Sequence, residues 1–182
     1  MDEREFTNGD KAMSVFAGFT WPPVGDPNFL GDNQPLINVN WAEAKAICEK
    51  QGKRLPTEVE WQYAAQGEEG LAWPWGNEFD STRCNNSSGR TSGVGDFPRG
   101  KSPFGVMDLT GNVWQLTSDV YDNGTYYFVI MKGGSFYKPT SSWWYVKGGP
   151  QPNTWHQQLL LVSPSFDRNA TVGFRCVKDI SE

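Results

Sequence analysis

The chain has 182 residues, 37% hydrophobic and 20% charged, with a formal charge of −5. That length fits one domain able to bury a sizeable core, and that composition excludes a disordered tail. No run approaches the roughly 20 apolar residues of a membrane helix, and the acidic balance with no dense Lys/Arg cluster in sequence argues against nucleic-acid binding.

Residues 1–34 are polar and broken by Gly and Pro, as in Trp21-Pro22-Pro23, and read as an irregular N-terminal arm. The start, Met1 to Glu5, is charged and shows no apolar leader; a chain beginning after a removed leader would read the same. Asn40 with Glu43 forms a capping-box signature and Gly52 supplies a stop, which predicts a first helix. Trp41, Ala44 and Cys48 fall on one face of it, with Ile47 beside them. Thr57 with Glu60 repeats the signature, Gly67 closes a second helix, and Trp61, Ala64 and Ala65 form its buried side.

Helical periodicity ends near residue 68, and turn signals follow every few residues. Short strands are predicted at 113–116, 126–132, 143–146, 159–162 and 173–177. With no repeat, linker or low-complexity tract, residues 1–182 read as one domain. Nine Trp, 11 Phe and 6 Tyr among 20 Gly and 12 Pro predict ordered loops around aromatic side chains, in the core or on a binding face.

Three cysteines, Cys48, Cys84 and Cys176, allow one internal disulfide at most. His156 is the single histidine, so a structural zinc site lacks its ligands and a His-dependent nucleophilic engine would run through that residue alone.

Several segments, in order, carry a family resemblance. Arg54-Leu55-Pro56-Thr57-Glu58-Val59-Glu60-Trp61 opens the second helix, and Trp73-Pro74-Trp75-Gly76-Asn77 makes a turn. Val94-Gly95-Asp96-Phe97-Pro98, Phe104-Gly105-Val106-Met107-Asp108-Leu109-Thr110-Gly111-Asn112-Val113-Trp114, Lys132-Gly133-Gly134-Ser135-Phe136 and Gly173-Phe174-Arg175-Cys176 follow. The set, from about residue 35 to 178, resembles the formylglycine-generating-enzyme (sulfatase-modifying factor) family. The resemblance implies an α+β, C-type-lectin-like fold of two helices, small antiparallel sheets and much irregular backbone.

Family enzymes oxidise a sulfatase cysteine with copper held by two thiolates just after the Gly-Gly-Ser bend, on a C-x4-C spacing. Soft thiolates select Cu(I). The matching positions here are Lys138 and Trp143, neither of which can be a thiolate, so no copper is expected. Trp114 and Ser135 match walls of the family's active-site groove; they also read as a core aromatic and a tight strand bend. The resemblance further implies one calcium site at Asp108, Gly111, Val113 and Gln115, where the family's glutamate has become Gln115; a tight turn without an ion is the alternative. It also implies a Cys48–Cys176 disulfide with Cys84 free, favouring an extracellular or periplasmic setting; two buried thiols are the alternative.

The leading expectation is a non-catalytic recognition domain. Trp143, Trp144, Tyr145, Trp155 and His156, interleaved with Lys138 and several Gln, suit stacking on and hydrogen bonding to a glycan or peptide. A divergent oxidase or an iron-dependent sulfoxide synthase is the enzymatic alternative. A retroelement-diversified variable protein is a third reading, on fold analogy alone.

Overall fold

The computed structural model describes residues 33–138, 148–161 and 169–179. Helix α1 spans Trp41–Lys50 and helix α2 spans Glu58–Gln66. Both begin at the expected capping boxes. Asn40 Oδ1 accepts the Glu43 N–H at 2.9 Å while Glu43 Oε2 accepts the Asn40 N–H at 2.9 Å. Thr57 and Glu60 make the same reciprocal pair. Each satisfies two of the N–H groups that a helix start leaves unpartnered. Gly52 and Gly67 follow the two helices at φ of 67°, a left-handed conformation that a side chain resists.

One four-stranded sheet contains β1 (Trp114–Asp122), β2 (Tyr127–Lys132), β3 (His156–Leu160) and β4 (Val172–Phe174), in the order β3-β2-β1-β4. β1–β2 and β2–β3 pair antiparallel, but β4 joins β1 in parallel, with Gln115 opposite Gly173. The sheet is therefore mixed rather than purely antiparallel. β1 runs well past the expected Leu116, its ladder interrupted by an irregularity between Leu116 and Val120. The strand expected at 143–146 lies outside the described residues.

The sheet has two different buried faces. Trp114, Leu116, Val129 and Met131 alternate onto one face and pack with Ala44, Ile47 and Cys48 of α1. Gln115 and Lys132, opposite each other across β1 and β2, lie on the other face under α2, where Trp61 joins Ala65 and Leu109. A disulfide between Cys48 and Cys176, Cα atoms 5.5 Å apart, fastens α1 to the segment after β4. Arg54 fastens α2 by forking onto both oxygens of Glu60 (2.7 and 2.6 Å) and reaching Asp179.

Candidate functional site

The expected metal turn folds around Gln115, at the second residue of β1. Its Oε1 accepts from Trp61 Nε1 at 2.9 Å and from Arg175 Nε at 2.6 Å. Its Nε2 donates to the Asp108 carbonyl at 2.6 Å. Arg175 Nη2 donates to the Met107 carbonyl, and the Gly95 N–H donates to Asp108 Oδ2. Burial raises the Asp108 carboxyl and pushes the Arg175 guanidinium down to about 10, each opposed by the other's charge. A cavity of about 240 Å³ opens beside them, lined also by Leu36, Val113 and Phe174.

This arrangement bears on calcium. The oxygen of Gln115 is filled by two donors, one on a guanidinium, so Gln115 does not fit a ligand role as it stands. The Asp108 carboxylate and the carbonyls of Gly111 and Val113 remain as oxygen donors, one carboxylate among them. That set fits a weakly held hard cation completed by water, since calcium takes about 6–8 oxygens. Among the described residues, no group of three or more His, Cys, Asp or Glu side chains could hold a metal ion.

At the copper positions, Lys138 is exposed and Trp143 lies outside the described residues, as do Trp144 and Tyr145. The structure brings in a thiol from elsewhere: Cys84 is buried close enough for the Lys138 charge to act on it. Burial pushes this thiol up to about 12 against the lowering effect of the Lys138 charge. Trp114 and Ser135 are core residues, at 1% and 0% exposure. The inward alternation of β1 places the former, and the Gly133-Gly134 bend turns the latter inward, where its Oγ accepts the Tyr137 N–H.

Trp155 and His156 remain accessible at the head of β3, 39% exposed and 45% exposed at the side chain respectively. His156 Nδ1 lies 2.7 Å from Glu58 Oε1, and the same oxygen is 3.3 Å from Lys132 Nζ, which also donates to Gln62 Oε1. Lys132 is fully buried, and burial lowers its pKa against the opposing charge of Glu58. A polar relay thus runs from the sheet interior through the first turn of α2 to an exposed imidazole. Glu58, Gln62 and Lys132 were not among the expected site residues. Their signal lay inside the quoted motifs, in a lysine directly before Gly-Gly-Ser and a glutamate at the start of α2.

The family model described as sulfatase-modifying factor enzyme 1-like domain matches residues 3–180, reaching through most of the N-terminal arm. A Bos taurus protein named inactive C-alpha-formylglycine-generating enzyme 2 is 36% identical over 116 residues, covering 56% of this chain and 38% of its own length. The chain thus spans well under half of that relative. Two solved structures share the fold. The crystal structure of CarF aligns with a TM-score of 0.67 at 18% identity, over 97% of this chain and 83% of CarF. Treponema denticola variable protein 1 aligns at 0.59 and 20% identity, over 85% of this chain and 73% of that one. With ordered motifs, two capped helices, a matching disulfide and a family match across nearly its whole length, the chain belongs to the sulfatase-modifying factor (formylglycine-generating-enzyme-like) family.

Proposed function

We propose that this chain is a non-catalytic recognition domain of its family that takes a glycan or peptide at the head of β3. The carrying observation is the exposed pair Trp155–His156, with the imidazole held by Glu58. An aromatic face beside a fixed polar ring is suited to stacking and directed hydrogen bonding. Lys138 and Trp143 at the two thiolate positions leave the oxidase chemistry without its metal ligands. The relative named inactive supports the same direction. A weak calcium site at Asp108, Gly111 and Val113 belongs to this proposal, as does an extracellular or periplasmic setting, where a disulfide such as Cys48–Cys176 persists. No helix among the described residues is long and apolar enough to cross a membrane.

Screening the protein against an array of glycans and peptides, then titrating each hit by calorimetry, tests the reading. Trp155→Ala is expected to weaken a genuine hit about 30-fold, the effect of removing a central aromatic contact. Hits unaffected by Trp155→Ala and His156→Ala would place recognition elsewhere on the domain.

A further inference from the structure

We propose that the groove between two 3₁₀ turns, Ser81–Arg83 and Pro98–Gly100, is a separate binding site for an acidic glycan, a sugar chain bearing carboxylate or sulfate groups. The groove, about 690 Å³, is lined by Trp75, Arg83, Arg99, Lys101, Pro74 and Pro103. That volume lies within the roughly 300–1,000 Å³ of small-ligand sites.

The charge is the first argument. In a chain of net −5, three cationic side chains converge on this groove. The nearby Asp80 is already engaged, with Oδ2 accepting from Arg83 Nε at 2.9 Å and Oδ1 accepting from the Thr82 N–H and hydroxyl. Among the described residues, Arg99 and Lys101 have no carboxylate within ion-pair distance. Arg99 makes one side-chain hydrogen bond, from Nη2 to Thr82 Oγ1 at 3.2 Å. Arg83 is thus paired with Asp80, while Arg99 and Lys101, held side by side without a counterion among the described residues, favour an anionic ligand. Guanidinium forks match the planar or tetrahedral oxygens of carboxylate and sulfate.

The groove is also rigid. Arg83 Nη1 donates to the Arg99 carbonyl at 3.2 Å, stitching one turn to the other. At Gly100 the backbone passes so close to the Arg83 carbonyl that a Cβ would collide with it. Trp75 is pinned by its Nε1–H donating to the Glu78 carbonyl at 3.0 Å, and it stacks with Trp73 at 6.0 Å between ring centroids. The indole wall and the guanidinium floor are therefore set before any ligand arrives, which limits the ordering penalty of binding.

The groove's walls favour a glycan over a peptide. The groove is walled by loops and 3₁₀ turns, and the Gly100 N–H and Ser102 N–H are already taken by the Phe97 and Val106 carbonyls. Among the described residues no strand edge borders it, so an extended peptide finds no ladder to join there. What it offers is an aromatic face and side-chain cations, suited to sugar rings with acidic substituents. Asn153 pins the loop carrying Trp155 to this rim, donating its N–H to Ala72 O and its side-chain amide to Leu71 O. The groove itself uses neither Trp155 nor His156, so it stands independently of the site at the head of β3.

The test is calorimetric titration of the whole chain with a sulfated heparin oligosaccharide, a neutral maltooligosaccharide and a polyglutamate peptide matched in charge to the first. The sulfated oligosaccharide should bind, more weakly as salt rises, with the neutral one silent and polyglutamate much weaker. Arg99→Gln with Lys101→Gln should weaken binding about tenfold or more, the scale of losing charge-assisted contacts. Trp75→Phe should weaken it by a smaller factor, and Trp155→Ala should leave it unchanged. Both charge positions are exposed, so an unchanged melting curve checks that the double variant folds. Absence of oligosaccharide binding, equal binding of polyglutamate, or indifference to the double variant overturns the proposal.

Discussion

The domain holds its cations in two opposite ways. Around Gln115 and Lys132 the cations turn inward, Lys132 fully and Arg175 partly buried, and end on protein oxygens: Arg175 on Gln115 and the Met107 carbonyl, Lys132 on Glu58 and Gln62. In the groove, Arg99 and Lys101 are exposed and hold no counter-charge among the described residues. A buried cation loses hydration and must regain it from its neighbours, so removing one partner leaves a penalty inside the protein. An exposed cation keeps its water and contributes little to folding. The first arrangement specifies the fold, and the second leaves binding capacity at the surface. The resemblance to a metal turn and the residues that actually face outward are thus in different places.

The largest expected effect breaks the closed side of this contrast. Cys48 and Cys176 are 128 residues apart, and their bond ties α1 to the segment that immediately follows Arg175. Replacing both cysteines with alanine should lower unfolding free energy by about 2–5 kcal/mol, in denaturant titrations followed by circular dichroism. Hydrogen exchange should quicken first around β4 and Gln115, while the groove turns keep their protection. Equal stability with and without the bond would show that packing alone holds this side.

A narrower break removes one hub of the network. Gln115→Leu keeps the volume roughly constant but strands Trp61 Nε1 and Arg175 Nε among buried groups. Two stranded donors, one of them charged, predict a loss of about 2–4 kcal/mol. The groove variant Arg99→Gln with Lys101→Gln should move stability by less than about 0.5 kcal/mol, as surface changes do. Similar losses in the two variants would erase the distinction between the closed network and the open groove.

The helices were legible because their signals are local. Asn40 with Glu43, Thr57 with Glu60, and the glycines at 52 and 67 carry their own hydrogen-bonding and backbone logic within a few residues. The disulfide was legible through the family resemblance, which matched both cysteines by position. The surroundings of Gln115 were not, because Arg175 arrives from 60 residues away, as the residue that follows β4, a strand paired in parallel with β1. A lysine such as Lys132 reads as exposed until a helix supplies Glu58 and Gln62 above it. The start of β3 at His156 was missed for a similar reason: Gln157 and Gln158 give no apolar alternation, and the register comes from pairing with Met131 and Ile130. The aromatic run at 143–145 lies outside the described residues.

The smallest expected effect sharpens the comparison at its edge, where the closed network meets the proposed cation. Calcium would draw on the Asp108 carboxylate and the carbonyls of Gly111 and Val113, while Gln115 stays bonded to Arg175. Gly111, at φ 73°, permits the tight turn that carries these groups. A single carboxylate, with a guanidinium nearby, keeps the dissociation constant near the weak end, about 10⁻⁴–10⁻³ M. At ten times that constant, binding adds about 1.4 kcal/mol. A thermal melt should therefore shift up by a few degrees in millimolar calcium and return with chelator, and Asp108→Asn should remove the shift without unfolding the domain. Magnesium should do less, because it demands a regular octahedral shell that this turn does not supply. A melting curve indifferent to calcium and to chelator would mean that Arg175 alone supplies the positive charge this turn requires.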